Sequence, residues 1–546
     1  MATDPPVQRA YRAACPNCGA PVEFRSPASA FAVCSFCRST LVREGAALRK
    51  IGESAELFDD HSPLQLGASG TYQGARFTLV GRLQYRYADG TWNEWHALFE
   101  SADGHKSGWL SDDNGRYVIA FDAPLDERVP PAAELQPGAP ITVGGQAWSV
   151  ASVTATRLIA AQGELPRAPV VQHGFVVADL RNPRGEVGTL DYGDPAQPRW
   201  SIGRSVALSE LAMAGLAEAA EKTLAARGAP CPNCGAPLQI NLDSTQTVVC
   251  GQCKAVVDVS KGVGGDLAHY VQQGNGSEPL IPLGSVGTFA FAPRPDLPWQ
   301  VVGYVERCTV PASEARSAGG GGDDDDDDSQ SFWREYLLYH RTEGFTFIVD
   351  ADDGWSWAAP ITGAPERVGQ SVRWQGVLYR KLYAYTGKVT WVLGEFYWQL
   401  TRDQLTRNID YQGTGGASAK RLNREQTQGE GVSEVVWSAG ETLSSDAVLK
   451  AFRLAPSQQA AFKRDATPTF GGGGMLAKVF LWVFIVVVLL LLFRCGDGSG
   501  SDCESTRLSF GDASQEYRSC LASRGGSGGR TGGGSFGGFS SGGGHK

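Results

Sequence analysis

The string CPNCGAP at residues 15–21 returns unchanged at 231–237, and each copy is followed, after fifteen intervening residues, by a second Cys-x-x-Cys pair. The result is two four-thiol sets: Cys15, Cys18, Cys34 and Cys37, then Cys231, Cys234, Cys250 and Cys253. Two residues within a pair and fifteen between pairs suit two β-knuckles folding over one ion, which predicts a structural Zn²⁺ in each set and two per chain. A redox dithiol would instead place one Cys-x-x-Cys at the start of a helix in an α/β unit, and two facing pairs do not fit that plan. A ribbon of about fifty residues buries too little apolar surface to fold alone, so metal binding would supply its folding free energy.

At 546 residues the chain exceeds a single core, and 42% hydrophobic with 20% charged residues excludes a generally disordered polymer. A net charge of −9 argues against nucleic-acid binding through bulk electrostatics. The first ribbon holds seven Lys/Arg against three Asp/Glu over residues 1–50, but the second has no such excess, so nucleic acid is not an expected partner. Thiolate sites need a reducing compartment, and the polar start MATDPPVQRAYRAACP lacks the apolar core of an export signal. These features predict a cytosolic location for the bulk of the protein.

Outward from the first ribbon the period becomes that of strands. Phe77, Leu79, Leu83, Tyr85 and Tyr87 alternate with polar residues, and turn signals follow at Asp89-Gly90, Asp103-Gly104 and Asp113-Asn114-Gly115. Further strands are predicted at Ala147–Thr154 and Gly174–Ala178. Residues 205–227, rich in Ala and Leu and stopped by Gly228, read as a connecting helix.

The second half repeats the first. Val80-Gly81 is echoed by Val302-Gly303, Trp92-Asn93-Glu94-Trp95 by Trp333-Arg334-Glu335-Tyr336, Gly163-Glu164 by Gly394-Glu395, and Trp200-Ser201 by Trp437-Ser438. The first cysteines of the ribbons lie 216 residues apart. The predicted fold is therefore mainly β: a duplicated unit of zinc ribbon plus antiparallel β-rich domain with a closing helix, then one C-terminal transmembrane helix. The boundaries are 1–50 and 228–262 for the ribbons, 51–204 and 263–453 for the β-rich copies, and 454–474 for a linker. The second closing helix is expected near Ser444–Phe452.

The second copy inserts 311–330, with four glycines and then Asp323–Asp328. Six adjacent like charges favour a solvated loop, and a uniform Asp run lacks the alternation and Gly turn of a Ca²⁺ loop. Met475–Phe493, MLAKVFLWVFIVVVLLLLF, is apolar on every face. At ~1.5 Å per residue such a helix is about 28 Å long, matching the ~30 Å hydrocarbon core of a bilayer. The zinc thiolates and a mild excess of Lys/Arg before the span predict a single-pass membrane protein with its bulk in the cytosol and the Gly/Ser-rich tail 494–546 outside. Cys495, Cys503 and Cys520 in that tail leave disulfide pairing or acylation open.

No Walker, zincin, nucleophile-elbow or dinucleotide motif occurs in its proper context, and Cys308 reads as a packed thiol, so an enzyme is not the favoured expectation. The best candidates besides the cysteines are the recurring Glu94 with Glu335 and Glu164 with Glu395. A Glu set among aromatics on a strand either meets a donor or faces solvent. Each either fixes a sheet or lines a ligand or partner groove.

These landmarks, W-x-E-[WY], a Gly-Glu step, a W-S-x-G ahead of the last element, the Cys-Pro-x-Cys-Gly ribbon and the Gly-rich tail ending Gly-His-Lys, resemble the bacterial family known as domain of unknown function 4178, in two copies. The first copy departs from it with Leu165-Pro166 where the second has Phe396-Tyr397. The resemblance implies a bacterial, β-rich, often membrane-associated protein, with links to envelope stress or polyamine-related gene clusters, and implies no activity. The expected function is a membrane-anchored zinc-binding adaptor with protein partners. The alternative is a sensor or enzyme for a small, polyamine-like ligand in the β-rich domains.

Overall fold

The computed structural model describes residues 11–463, with interruptions at 25–29, 54–61, 218–228, 260–266, 292–295, 311–330 and 429–432 and several of two or three residues. Strands Ala75–Tyr87, Gly90–Ser101, Gly104–Asp113 and Arg116–Ala123 form the predicted antiparallel meander. The fourth then pairs with Arg199–Val206, which continues through Glu186–Asp191 and Gly174–Arg181 to the strand Gln146–Leu165. That last strand is twenty residues long, and its second half returns to pair with Ala75–Tyr87. The sheet is thus closed: eight antiparallel strands, with no lateral edge in the ring.

The second copy closes in the same order. Asp296–Thr309, Phe332–His340, Gly344–Ala351 and Gly354–Ile361 lead to Ser433–Leu443, then Lys420–Gln428, Leu405–Gly413 and the twenty-residue strand Val377–Phe396, which pairs back with the first. Closure is a non-local property, and alternation along single strands does not reveal it.

A bulge decides which side chains enter each barrel. Between Leu79 and Gly81, and again between Val301 and Gly303, one extra residue shifts the register. Phe77 and Leu79 therefore lie outside, packed with Trp95, Phe99 and Ile119, while Leu83 turns inward against Trp109 and Ala161. The sequence reads as one apolar stripe, but a bulge changes the face on which that stripe emerges.

Each long strand outlasts its barrel and takes the ribbon as its next partner. Gly163, Glu164 and Leu165 pair with Val33, Ala32 and Phe31 of the first ribbon. Glu395 and Phe396 pair with Val248 and Thr247 of the second. Gly163 and Gly394, at φ 72° and 91°, supply the turn at the seam. A Cβ there would lie 2.2 Å from the carbonyl oxygen of Val80 or Val302, so only Gly allows the two strands this close. The barrels themselves touch through a bridge between Ser152 and Glu434 and a hydrogen bond from Ala364 N to Asn182 O.

The second closing helix forms as expected, Ser445–Phe452, with Ser444 capping it by accepting from Ala447 N. Val448, Leu449 and Phe452 bury its inner face against Phe289, Trp299 and their neighbours. The connecting helix at 205–227 is corrected over its described part. Residues up to Val206 finish a strand, and only Leu208–Leu211 make a 3₁₀ turn. Leu208 and Leu211, three apart, cover the barrel in that single turn; Ala212 then enters the left-handed region and Ala214 bridges back to Ser69. Residues 218–227, the acidic run Asp323–Asp328, the span Met475–Phe493 and Cys495, Cys503 and Cys520 lie outside the described residues. Among the described residues no helix is long and apolar enough to cross a membrane.

Because the seam depends on a left-handed Gly with no room for a side chain, Gly394→Ala is expected to destabilise the second unit by roughly 2–4 kcal/mol. Denaturant unfolding of the metal-loaded chain measures it, with Gly416→Ala, an exposed position with nothing nearby, unchanged.

Candidate metal centres and barrel interiors

In each knuckle the backbone turns to aim two sulfurs at a common point. Gly19 N donates to Cys15 O and Arg38 N to Cys34 O at 2.8 and 2.9 Å, and Gly235 and Lys254 repeat this in the second ribbon. The residue after each pair, Gly19, Arg38, Gly235 or Lys254, has positive φ, which folds the chain back across the thiols. All four sulfurs of each set lie within 4.8 Å of one another. Cys15 to Cys37 is 3.6 Å, and Cys18–Cys34, Cys231–Cys253 and Cys234–Cys250 are each 3.7 Å. These distances are far beyond a disulfide bond, and they match the edge of a tetrahedron whose centre is ~2.3 Å from each sulfur, the radius of a zinc thiolate. The predicted sets therefore each come together as a cluster that could hold a metal ion.

The four recurring glutamates do not share one groove. Glu395 stands at the second seam, where its carboxylate accepts from Asn241 N at 3.0 Å, Leu242 N at 3.0 Å and Thr245 Oγ1 at 2.8 Å, and also from the Asn241 side chain. It ties ribbon to barrel. Glu164 occupies the equivalent place in the first unit, buried, with its carbonyl accepting from His96 Nδ1 at 2.9 Å. Burial lowers the pKa of the ring, and in its neutral form, with Nδ1 donating, Nε2 accepts from Ser107 Oγ.

Glu94 and Glu335 occupy equivalent register positions, opposite Leu83 and Val305, and face the barrel interiors. Glu335 is 1% exposed; Trp333 Nε1 donates to it at 2.8 Å and Arg307 lies at 3.1 Å. Burial pushes its carboxyl up, against the opposing pull of Arg307. Around this pair the second lumen is polar: Arg307 reaches Thr406 Oγ1 and approaches Glu425 at 3.9 Å, and Asn423 donates to Asp410 at 2.8 Å. Arg307, Asn408, Asp410, Asn423 and Glu425 were not singled out from sequence. The signal was present in Thr406, Asn408 and Asp410, a polar alternation at period two that marks a strand whose inward face is not apolar.

The architecture defines a class: a duplicated closed β-barrel, each copy capped by a four-cysteine ribbon added to its longest strand. Residues 65–208 and 297–445 each match the family described as Domain of unknown function (DUF4178), and the chain belongs to that family. No curated protein and no solved structure matches it significantly.

Two measurements follow. Metal analysis of the intact chain is expected to give two bound ions, and Cys234→Ser, which removes one of four thiolates, to remove about one of them. For His96 the folded pKa is depressed, so the native state binds fewer protons than the unfolded chain, and its stability contribution is full above the ordinary histidine value of about 6.5 and lost as pH falls. Denaturant unfolding of wild type and His96→Gln should diverge in slope as pH drops from about 7.5 towards 5.5, with the variant losing less stability.

Proposed function

We propose that the chain is a membrane-anchored adaptor whose two zinc-folded units present a rigid surface to protein partners. The observation that carries this reading is the seam: each ribbon extends a barrel strand, so metal, ribbon and barrel form one body whose shape does not depend on a substrate. Zinc is the metal that a four-thiolate tetrahedron of this size favours in a reducing compartment. The recurring Glu395 is spent on internal contacts, which suits a structural role better than turnover. At the tip of the first ribbon Phe36 is 72% exposed between two cysteine ligands, a contact point of the kind that anchors partners. Met475–Phe493 would tether the chain to a bacterial inner membrane, with the units in the cytosol and the tail outside. A role in envelope stress would require partners at that membrane.

Affinity purification of the tagged full-length chain from detergent extracts tests this. A protein that co-purifies with wild type and is lost with Phe36→Ser supports the adaptor. Recovery of the chain alone, or fractionation of the protein away from membranes when 475–493 is intact, overturns the corresponding half of the proposal.

A further inference from the structure

The two units end differently, and the difference leaves one strand edge open. In the first unit the short strand Ser69–Tyr72 is paired on one side with Ala75–Tyr87. Its other side is covered by the chain that follows the 3₁₀ turn Leu208–Leu211: Ser69 N donates to Ala214 O at 3.0 Å, Ala214 N to Ser69 O at 2.8 Å, Ala217 N to Pro63 O at 2.9 Å and Gln65 Nε2 to Gly215 O at 2.9 Å. Met213 and Leu216 pack on the same apolar cluster as Leu66. Residues 212–217 thus add themselves to the sheet edge.

The second unit repeats the strand but not its cover. Val286–Ala290 pairs with Asp296–Thr309, and the turn leading into it is the same: Gly284 N donates to Val301 O at 2.7 Å and Val301 N to Ser285 O at 2.9 Å, where Gly67 N donates to Leu79 O and Leu79 N to Ala68 O, both at 2.8 Å. Val286 therefore stands where Ser69 does, and Leu283 where Leu66 does. In an antiparallel ladder successive residues send their N–H and C=O to opposite sides, so with Ser285 bonded to Val301 the backbone groups of Val286 point to the outer edge. Among the described residues Val286 has no bridge on that side, whereas Ser69 has Ala214. The chain that would cover it is committed elsewhere. Arg453 takes the left-handed conformation at the helix end as Ala212 does after the 3₁₀ turn, which makes Ala455 the counterpart of Ala214. Ala455 N donates to Gln458 Oε1 at 3.2 Å and its carbonyl accepts from Gln458 N at 2.9 Å, turning the chain towards Phe462 and its contacts with Trp355 and Ser445. Val286 and Leu283 are left 54% and 39% exposed.

We propose that the outer edge of Val286–Ala290 docks a short extended peptide of a protein partner, which joins the sheet through the N–H and C=O of Val286, sets a small residue opposite it and rests an apolar side chain, two residues further on, against Leu283. Residues 214–216 hold that place in the first unit, so the fold itself displays the shape of the occupant. In strand addition of this kind the backbone bonds supply affinity and the flanking side chains supply selectivity. From Leu280 to Phe291 the segment carries no charged residue, so an uncharged stretch suits it. A second copy of the chain suits it less: a stable dimer buries roughly 800 Å² on each partner, more than one strand edge and two side chains offer. The site rests on the adaptor reading and gives it a contact point separate from Phe36.

The probe is a fluorescent synthetic peptide of the chain's own residues 208–220, LSELAMAGLAEAA, titrated into metal-loaded full-length protein in detergent and followed by anisotropy. The expected result is saturable binding, weakened about tenfold when the peptide carries Ala214→Pro and has no N–H to donate there, weakened similarly by Val286→Pro in the protein, and unchanged by Phe36→Ser. No saturable binding, or full affinity in either proline variant, would overturn the proposal. Amide hydrogen exchange on wild type decides without any variant: slowing at Val286 when peptide is added supports the site, and no slowing rejects it. A Val286 amide already protected in dilute free protein assigns the edge to the chain's own segment 464–474, and protection that grows with protein concentration assigns it to a second copy; either result also overturns the proposal. If a partner still co-purifies through Phe36 while the peptide fails, this site falls and the adaptor reading stands.

Discussion

Everything in this molecule hangs on one strand per unit that serves two masters in succession. Gln146–Leu165 and Val377–Phe396 first close a barrel and then, past a left-handed glycine, offer their free side to a ribbon. A strand end left over from a barrel would otherwise expose unpaired N–H and C=O groups. A four-cysteine ribbon on its own would have almost no core. Joining them settles both problems with the same hydrogen bonds, and a metal bound by the four thiols would then stabilise the barrel's end as well as the ribbon.

Charge inside the barrels follows a different logic from apolar packing. Each lumen is apolar beneath its ribbon, through Trp109 and Leu83 in one copy and Phe347, Phe396 and Trp398 in the other, and polar further along. A buried ion pair such as Arg307 with Glu335 contributes little net stability, because desolvation offsets attraction. Removing one member would leave the other charge stranded at a far higher cost. Such pairs fix register and content rather than deepen the energy well.

Much of this was legible in the residues. The cysteine spacing gave both clusters, the echoes between halves gave the duplication, and the alternation gave the meander. The family resemblance rested on those same landmarks. Three things were out of reach, each for a physical reason. Barrel closure depends on pairings between strands far apart in sequence, such as Ala75–Tyr87 with Gln146–Leu165, which no local period encodes. The bulge at Val80 reverses which face Leu83 and Tyr85 present, so a continuous stripe concealed a change of side. The helix expected at 205–227 failed where described because Leu208 and Leu211 find their contacts in one turn, and helical propensity yields to packing. The glutamates show the same limit. Recurrence marked all four, but only geometry separates Glu395, which holds the seam, from Glu335, which faces a lumen.

The end of the second unit is bolted down. The Phe462 ring lies parallel to Trp355 at 5.1 Å, and its carbonyl accepts from both Trp355 Nε1 and Ser445 Oγ at 2.9 Å. Trp355 sits on the strand Gly354–Ile361, in the middle of the ring of strands. A pull on the chain beyond Lys463 would therefore not peel a helix away turn by turn. It would load the Trp355 clamp and pass into the barrel wall, where a stack, two hydrogen bonds and the packed helix must give together, so the unit would act as a stiff mechanical terminal for whatever follows it.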